Sequence, residues 1–126
     1  MWKQYSAAIG ALACCLSLVS YASAGEVDVL KAEARRSNGG SYQFSVTLRH
    51  DDTGWDHYAD RWQVVAPDGT VLATRVLAHR HVDEQPFTRS LPGVTVPAAA
   101  THVVVRAHDS VHGFGGVELQ AALPGR

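Results

Sequence analysis

From Tyr42 to Leu48 every second residue is apolar (Tyr42, Phe44, Val46, Leu48) and the residues between are polar (Gln43, Ser45, Thr47). A strand sends successive side chains to opposite faces, so this run fits one face on a core and the other in water. Less strict versions recur in short runs rich in Val, Thr, Leu and aromatics: 27–36, 62–66, 71–77, 87–91 with 94–96, 102–108 and 117–123. Turn residues separate them. Asn38-Gly39-Gly40 is a hairpin signal, and in Pro67-Asp68-Gly69 Pro presets the first turn dihedral while Gly takes the left-handed one. Pro92-Gly93 reads as a further break between two short runs. No helical periodicity outlasts a turn. About seven such strands predict an all-β antiparallel sandwich of immunoglobulin-like or fibronectin-like architecture, with a small barrel as the alternative. The Cys and Trp hallmarks of true immunoglobulin domains are missing, so only the architecture is expected.

The first 24 residues have a different grammar: a cationic start at Lys3, an apolar run from Ala7 to Val19, and Ala22-Ser23-Ala24 before Gly25. These are the three parts of a cleaved export signal, predicting a single mature domain over 25–126 in the periplasm or secreted. The apolar run is too short and too rich in Ala, Ser and Gly for a membrane span, which needs about 20 mostly apolar residues. A second processing route is open, because Leu12-Ala13-Cys14-Cys15 loosely resembles the box at which a lipoprotein cysteine is exposed. Both cysteines and the only methionine lie in the leader, so the remainder has neither disulfides nor the soft ligands that Cu(I) carriers generally use. Without Lys3, ten Lys and Arg stand against twelve Asp and Glu. That slight negative balance gives no nucleic-acid footprint.

If consecutive strands run antiparallel, loops fall alternately at the two ends of a sandwich. One end collects the Asn38-Gly39-Gly40 turn, the Pro67-Asp68-Gly69 turn and the Pro92 to Thr101 segment. The other collects the loops 50–60, 79–86 and 108–116, with six of the seven histidines: His50, His57, His79, His81, His108 and His112. Asp51, Asp52, Asp56, Asp60, Asp83, Glu84 and Asp109 join them. Imidazole and carboxylate suit Zn(II), Cu(II) or Ni(II), and a ligand set drawn from several loops needs no tight spacing. The candidate ligands are His50, His79, His81 and His108. His79-Arg80-His81 would place two imidazoles on one side of an extended strand, His50 ends the best strand on its apolar face, and Gly113, Gly115 and Gly116 leave room for close backbone approach beside His108. The Asp residues are expected behind the imidazoles, and His57 and His112 in solvent-exposed loops.

The competing reading has histidines that cap turns or bond loop backbones, since no spacing reproduces a zinc finger or HExxH pattern. Trp55, Tyr58 and Phe114 are candidate contacts for an envelope protein partner. An EF-hand order is absent around Asp52 and Asp56, and no nucleophile elbow accompanies Ser90, Ser110, His108 and Asp109, so an enzyme is the least supported class. The stretches Gly54-Trp55-Asp56-His57-Tyr58-Ala59-Asp60, Asp83-Glu84-Gln85-Pro86-Phe87-Thr88-Arg89 and Arg106-Ala107-His108-Asp109-Ser110-Val111-His112-Gly113 resemble segments of a small exported bacterial family of unassigned function. That resemblance would cover most of the chain after the leader and implies no activity or cofactor. The leading expectation is an exported binding module holding Zn or Cu at its histidine-rich end. Its alternative is a structural or protein-interaction sandwich with no metal.

Overall fold

The computed structural model describes residues 25–126; the export signal, its cut before Gly25 on the leader side and the Cys14-Cys15 box lie outside the described residues. The alternating runs form β1 (Asp28–Arg36), β2 (Tyr42–Arg49), β3 (Ala59–Val65), β4 (Val71–Val76), β5 (Phe87–Val94), β6 (His102–Asp109), β7 (Gly113–Phe114) and β8 (Leu119–Ala122). One sheet has the order β1-β2-β5; the other runs β4-β3-β6, with β7 and β8 both paired to β6. Every pairing is antiparallel, and the two sheets share one apolar core, the sandwich that the alternation predicts.

The core follows from the period of two. Tyr42, Phe44, Val46 and Leu48 point inward from β2, and Val103, Val105 and Ala107 do so from β6, joined by Trp62 and Val64 of the neighbouring β3. The Tyr42 hydroxyl donates to the Pro124 carbonyl at 2.7 Å, so the largest polar group on that stripe keeps a partner and anchors the C-terminal segment.

Two expected boundaries differ. Pro92-Gly93 does not split a hairpin: β5 runs through it, and its register against β2 jumps from Leu91↔Phe44 to Val94↔Tyr42. One extra residue on β5 makes a bulge there, and β5 is an edge strand, where a proline without an N–H costs no ladder bond. The last predicted run is also shorter. Gly115 to Glu118 leaves the sheet to lie along β1, where Val29 N–H donates to Val117 O at 2.9 Å and Val117 N–H to the Asp28 carboxylate at 2.8 Å. A Cβ on Gly116 would sit 1.8 Å from the Val27 carbonyl oxygen, so only glycine allows this approach.

Truncating the inward stripe should be costly and changing an outward residue should not. Phe44→Ala is expected to lower the unfolding free energy by about 3–5 kcal/mol. Val76→Thr, at a 62% exposed position, should stay within about 0.5 kcal/mol, both read from urea denaturation midpoints.

Candidate metal centre

Two inward stripes end in polar residues at the same end of the sandwich. His50 continues the face of Tyr42, Phe44, Val46 and Leu48, and Asp109 continues the face of Val103, Val105 and Ala107. They come from opposite sheets, so their side chains meet over the rim of the core, His50 2% exposed and Asp109 fully buried. The loop between β2 and β3 brings His57 between them. Its Nε2 is 3.3 Å from His50 Nε2 and 3.2 Å from Asp109 Oδ1, and one ligand atom from each residue falls within 4.8 Å of the others. An ion bound tetrahedrally at about 2.0–2.1 Å holds its ligands roughly 3.3 Å apart, which these two edges match. The Gly25 carbonyl oxygen lies in the same space, 2.8 Å from His50 Nε2 and 3.1 Å from His57 Nε2.

Asp52 organises the site from behind. Its Oδ1 faces His50 Nδ1 in a buried pair and accepts the Ala59 N–H at 3.0 Å, while Oδ2 accepts the His81 N–H at 2.7 Å. A carboxylate on Nδ1 fixes the ring and leaves Nε2 facing the centre, the arrangement that orients metal-ligating histidines. Gln85 ties the same loops: its side-chain oxygen accepts from His50 N–H at 3.0 Å and its amide donates to His81 O at 2.8 Å.

Asp109 supplies the negative charge. Burial opposes its ionisation, but the N–H groups of His112 and Val111, then the His112 and His50 imidazoles, outweigh that and hold its carboxyl below the ordinary value near 3.8. It is therefore a carboxylate at neutral pH. Oδ1 accepts from Val111 N–H at 2.9 Å and His112 N–H at 2.7 Å, whereas Oδ2 is buried with no hydrogen-bond partner. An unpartnered carboxylate oxygen in a buried position is costly unless a cation or proton meets it.

Hydrogen bonding alone leaves this cluster frustrated. His50 Nε2 and His57 Nε2 can each donate to Gly25 O only if each carries a proton, and then two N–H groups face one another at 3.3 Å. If one loses its proton to accept from the other, its lone pair faces the carbonyl oxygen. A cation removes the conflict, because both imidazoles then present lone pairs to it.

Of the four histidines read as ligands, His50 alone is in this cluster. His79 is exposed in a bend beyond β4, where the strand expected over 71–77 has ended, so His79 and His81 do not share one strand face. His81 is buried elsewhere, its ring stacked 3.9 Å from Phe87 and its Nε2 accepting from Arg89 at 3.0 Å. His108 precedes Asp109 on β6, so it points to the outer face, where Nδ1 pairs with Asp60 at 2.6 Å and the ring meets Phe114. His57, expected as a solvent-exposed loop residue, is half-buried at the centre, and Asp109, expected in a supporting role, contributes an oxygen. Asp109 could have been found by extending the β6 alternation two residues past Ala107. His57 had no comparable signal, because its position depends on how an irregular loop folds back. Trp55 is 55% exposed, edge-on to Tyr58 at 5.5 Å and under Arg80, while Phe114 lies apart from that pair beneath Arg106.

The chain is 47% identical over 91 residues to a protein of the archaeon Halomicrobium mukohataei named "Putative lipoprotein". The match takes in 72% of this chain and 44% of that relative's length, so the chain spans less than half of it. The relative is archaeal, so it does not support a bacterial assignment. No family model matches, and no solved structure matches.

Asp52→Ala would leave the Ala59 and His81 N–H groups and the His50 ring without their acceptor, at an expected cost of about 3–5 kcal/mol by chemical denaturation. Asp52→Asn, which keeps one oxygen, should cost less. His81 gives a pH signature. Burial first and Arg89 second push its imidazole below the ordinary value near 6.5, so as pH falls through 6.5 the unfolded chain takes the proton before the folded one. Stability should therefore drop with acidification in that window. His81→Phe should flatten this part of the melting temperature profile between pH 7.5 and about 5.

Proposed function

We propose that this chain is an exported β-sandwich module that binds one divalent transition metal ion through His50, His57 and Asp109. The observation that carries this is the convergence of three donor atoms, from the end of β2, its following loop and the end of β6, within 4.8 Å of one another, on a buried carboxylate whose second oxygen has no hydrogen-bond partner. Two imidazoles and a carboxylate suit Zn(II) or Cu(II); with no thiolate or thioether beyond the leader, Cu(I) is disfavoured. Export rests on the leader and on the relative's name, which also lends weight to processing at Cys14 or Cys15 and hence to a membrane-anchored form. Among the described residues no helix is long and apolar enough to cross a membrane.

A second reading, a protein-contact module without metal, is favoured by one observation: Trp55 stands 55% exposed with Arg80 over its ring. The two readings separate cleanly. Titration of metal-stripped, untagged protein with Zn(II) and Cu(II) should show one equivalent bound, lost on His50→Ala or His57→Ala and kept on His79→Ala or Trp55→Ala. Because imidazole ligands must be neutral, affinity should fall below about pH 6. No binding tighter than millimolar in the unaltered protein would sink the metal reading and leave the Trp55 surface as the one to test.

A further inference from the structure

Gly25 is the residue at which the leader reading starts the mature chain, and it sits in the middle of the histidine cluster. Its carbonyl oxygen touches both His50 Nε2 and His57 Nε2, and a Cβ built on it would lie 2.6 Å from His112 Cε1. Chain ends normally fray unless tied down. Gly25 instead lies against three imidazoles, its carbonyl oxygen on His50 and His57 and the His112 ring where a Cβ would sit. The backbone nitrogen of a residue lies within about 3.6 Å of its own carbonyl oxygen, so an amine at Gly25 is placed to chelate together with the oxygen that already meets both rings.

We infer that the metal site is completed by maturation. Cleavage between Ala24 and Gly25 turns the Gly25 amide into a free α-amine, which joins His50, His57 and Asp109 as a further ligand, alone or chelating together with its own carbonyl oxygen. This rests on the metal reading above and adds its regulation: the precursor holds an incomplete site and the processed chain a complete one. An amide nitrogen has no available lone pair, whereas an α-amine, with an ordinary pKa of about 7.7–8.0, loses its proton to a metal far more readily than a lysine does. A set of three nitrogens and one carboxylate oxygen, with no sulfur, selects Cu(II) over Zn(II) by the ordering of divalent affinities.

The glycine is part of the argument. A Cβ at Gly25 would press on the His112 ring, so glycine lets the chain end enter between imidazoles that a larger residue would push apart. Exported protein should therefore be recovered in two forms, one from the natural precursor and one from a precursor with Ser-Gly inserted between Ala24 and Gly25, so that the amine is displaced by two residues. Intact mass fixes where each chain begins, and Cu(II) is titrated into each with the nitrogen couplings read by electron paramagnetic resonance.

The expected result is a natural chain beginning at Gly25, with Cu(II) affinity higher than that of the inserted form by about 100-fold, the upper end of the effect of losing a supporting partner of a metal ligand. Its spectrum should show one more coupled nitrogen. Equal affinities and identical spectra, with binding still abolished by His57→Ala, would overturn the role of the chain end while leaving the metal reading intact. Absence of Cu(II) binding in both forms would overturn both. A natural chain that begins at a lipidated Cys14 or Cys15 would also overturn the inference, since its Gly25 nitrogen is an amide.

Discussion

A single buried carboxylate, Asp52, sets the geometry of the functional end. It collects the β3 backbone through Ala59, the β4–β5 loop through the His81 N–H and the end of β2 through the His50 ring, and it does so from a 5% exposed position. Charge-assisted bonds of this kind are about twice as strong as neutral ones, and in a low-dielectric site the loss of one partner leaves the others expensive. Two strand ends and one loop therefore share one acceptor. Without it the loops would have only ordinary surface contacts to hold them, and the imidazoles they carry would sample many orientations.

Asp109 plays the matching part on the other sheet. It ends β6 on the inward face, and its Oδ1 caps the turn that follows through Val111 and His112. The β2–β3 loop and the end of β6 thus each place a buried acid at this end of the sandwich, but the acids differ in what they leave unmet. Both Asp52 oxygens are engaged by protein donors, whereas Asp109 Oδ2 is not. Asp52 is thus a closed structural hub, whereas Asp109 keeps one acceptor unmet beside the imidazoles of His57 and His112.

Much of the fold could be read in advance because a period of two is a strong code. Tyr42 to Leu48 located both a strand and its buried face, and the turn residues located the ends, which in turn placed the histidine-rich loops together. The code failed where structure ceased to be local. Pro92-Gly93 has the chemistry of a turn, yet an edge strand absorbs it as a bulge, a tertiary fact that the dipeptide does not carry. At the candidate site the same alternation was informative but not followed far enough. It places His50 and Asp109 on inward faces and His108 outward, so His108 cannot share a centre with His50. His57 and the Gly25 carbonyl were illegible, because their positions depend on loop closure and on Asp52, not on any spacing.

The placement of polar groups at the last turn of two inward stripes has an energetic logic. Carrying His50 and Asp109 inward costs desolvation, which an apolar pair would avoid, and buried ion pairs are often no more stable than their hydrophobic replacements. A fold gains from such an arrangement when the buried groups have a task that needs fixed geometry. Here the rings are already oriented by Asp52 and Asp109, so binding would not have to order the loops first, unlike small domains that fold only around their metal. The stable apolar core built from Phe44, Val46, Trp62 and Val105 is what permits this. It supplies enough folding free energy for the opposite-sheet rim to hold a strained, under-satisfied polar cluster in place, so the same alternation that builds the sandwich also holds its chemistry at one end.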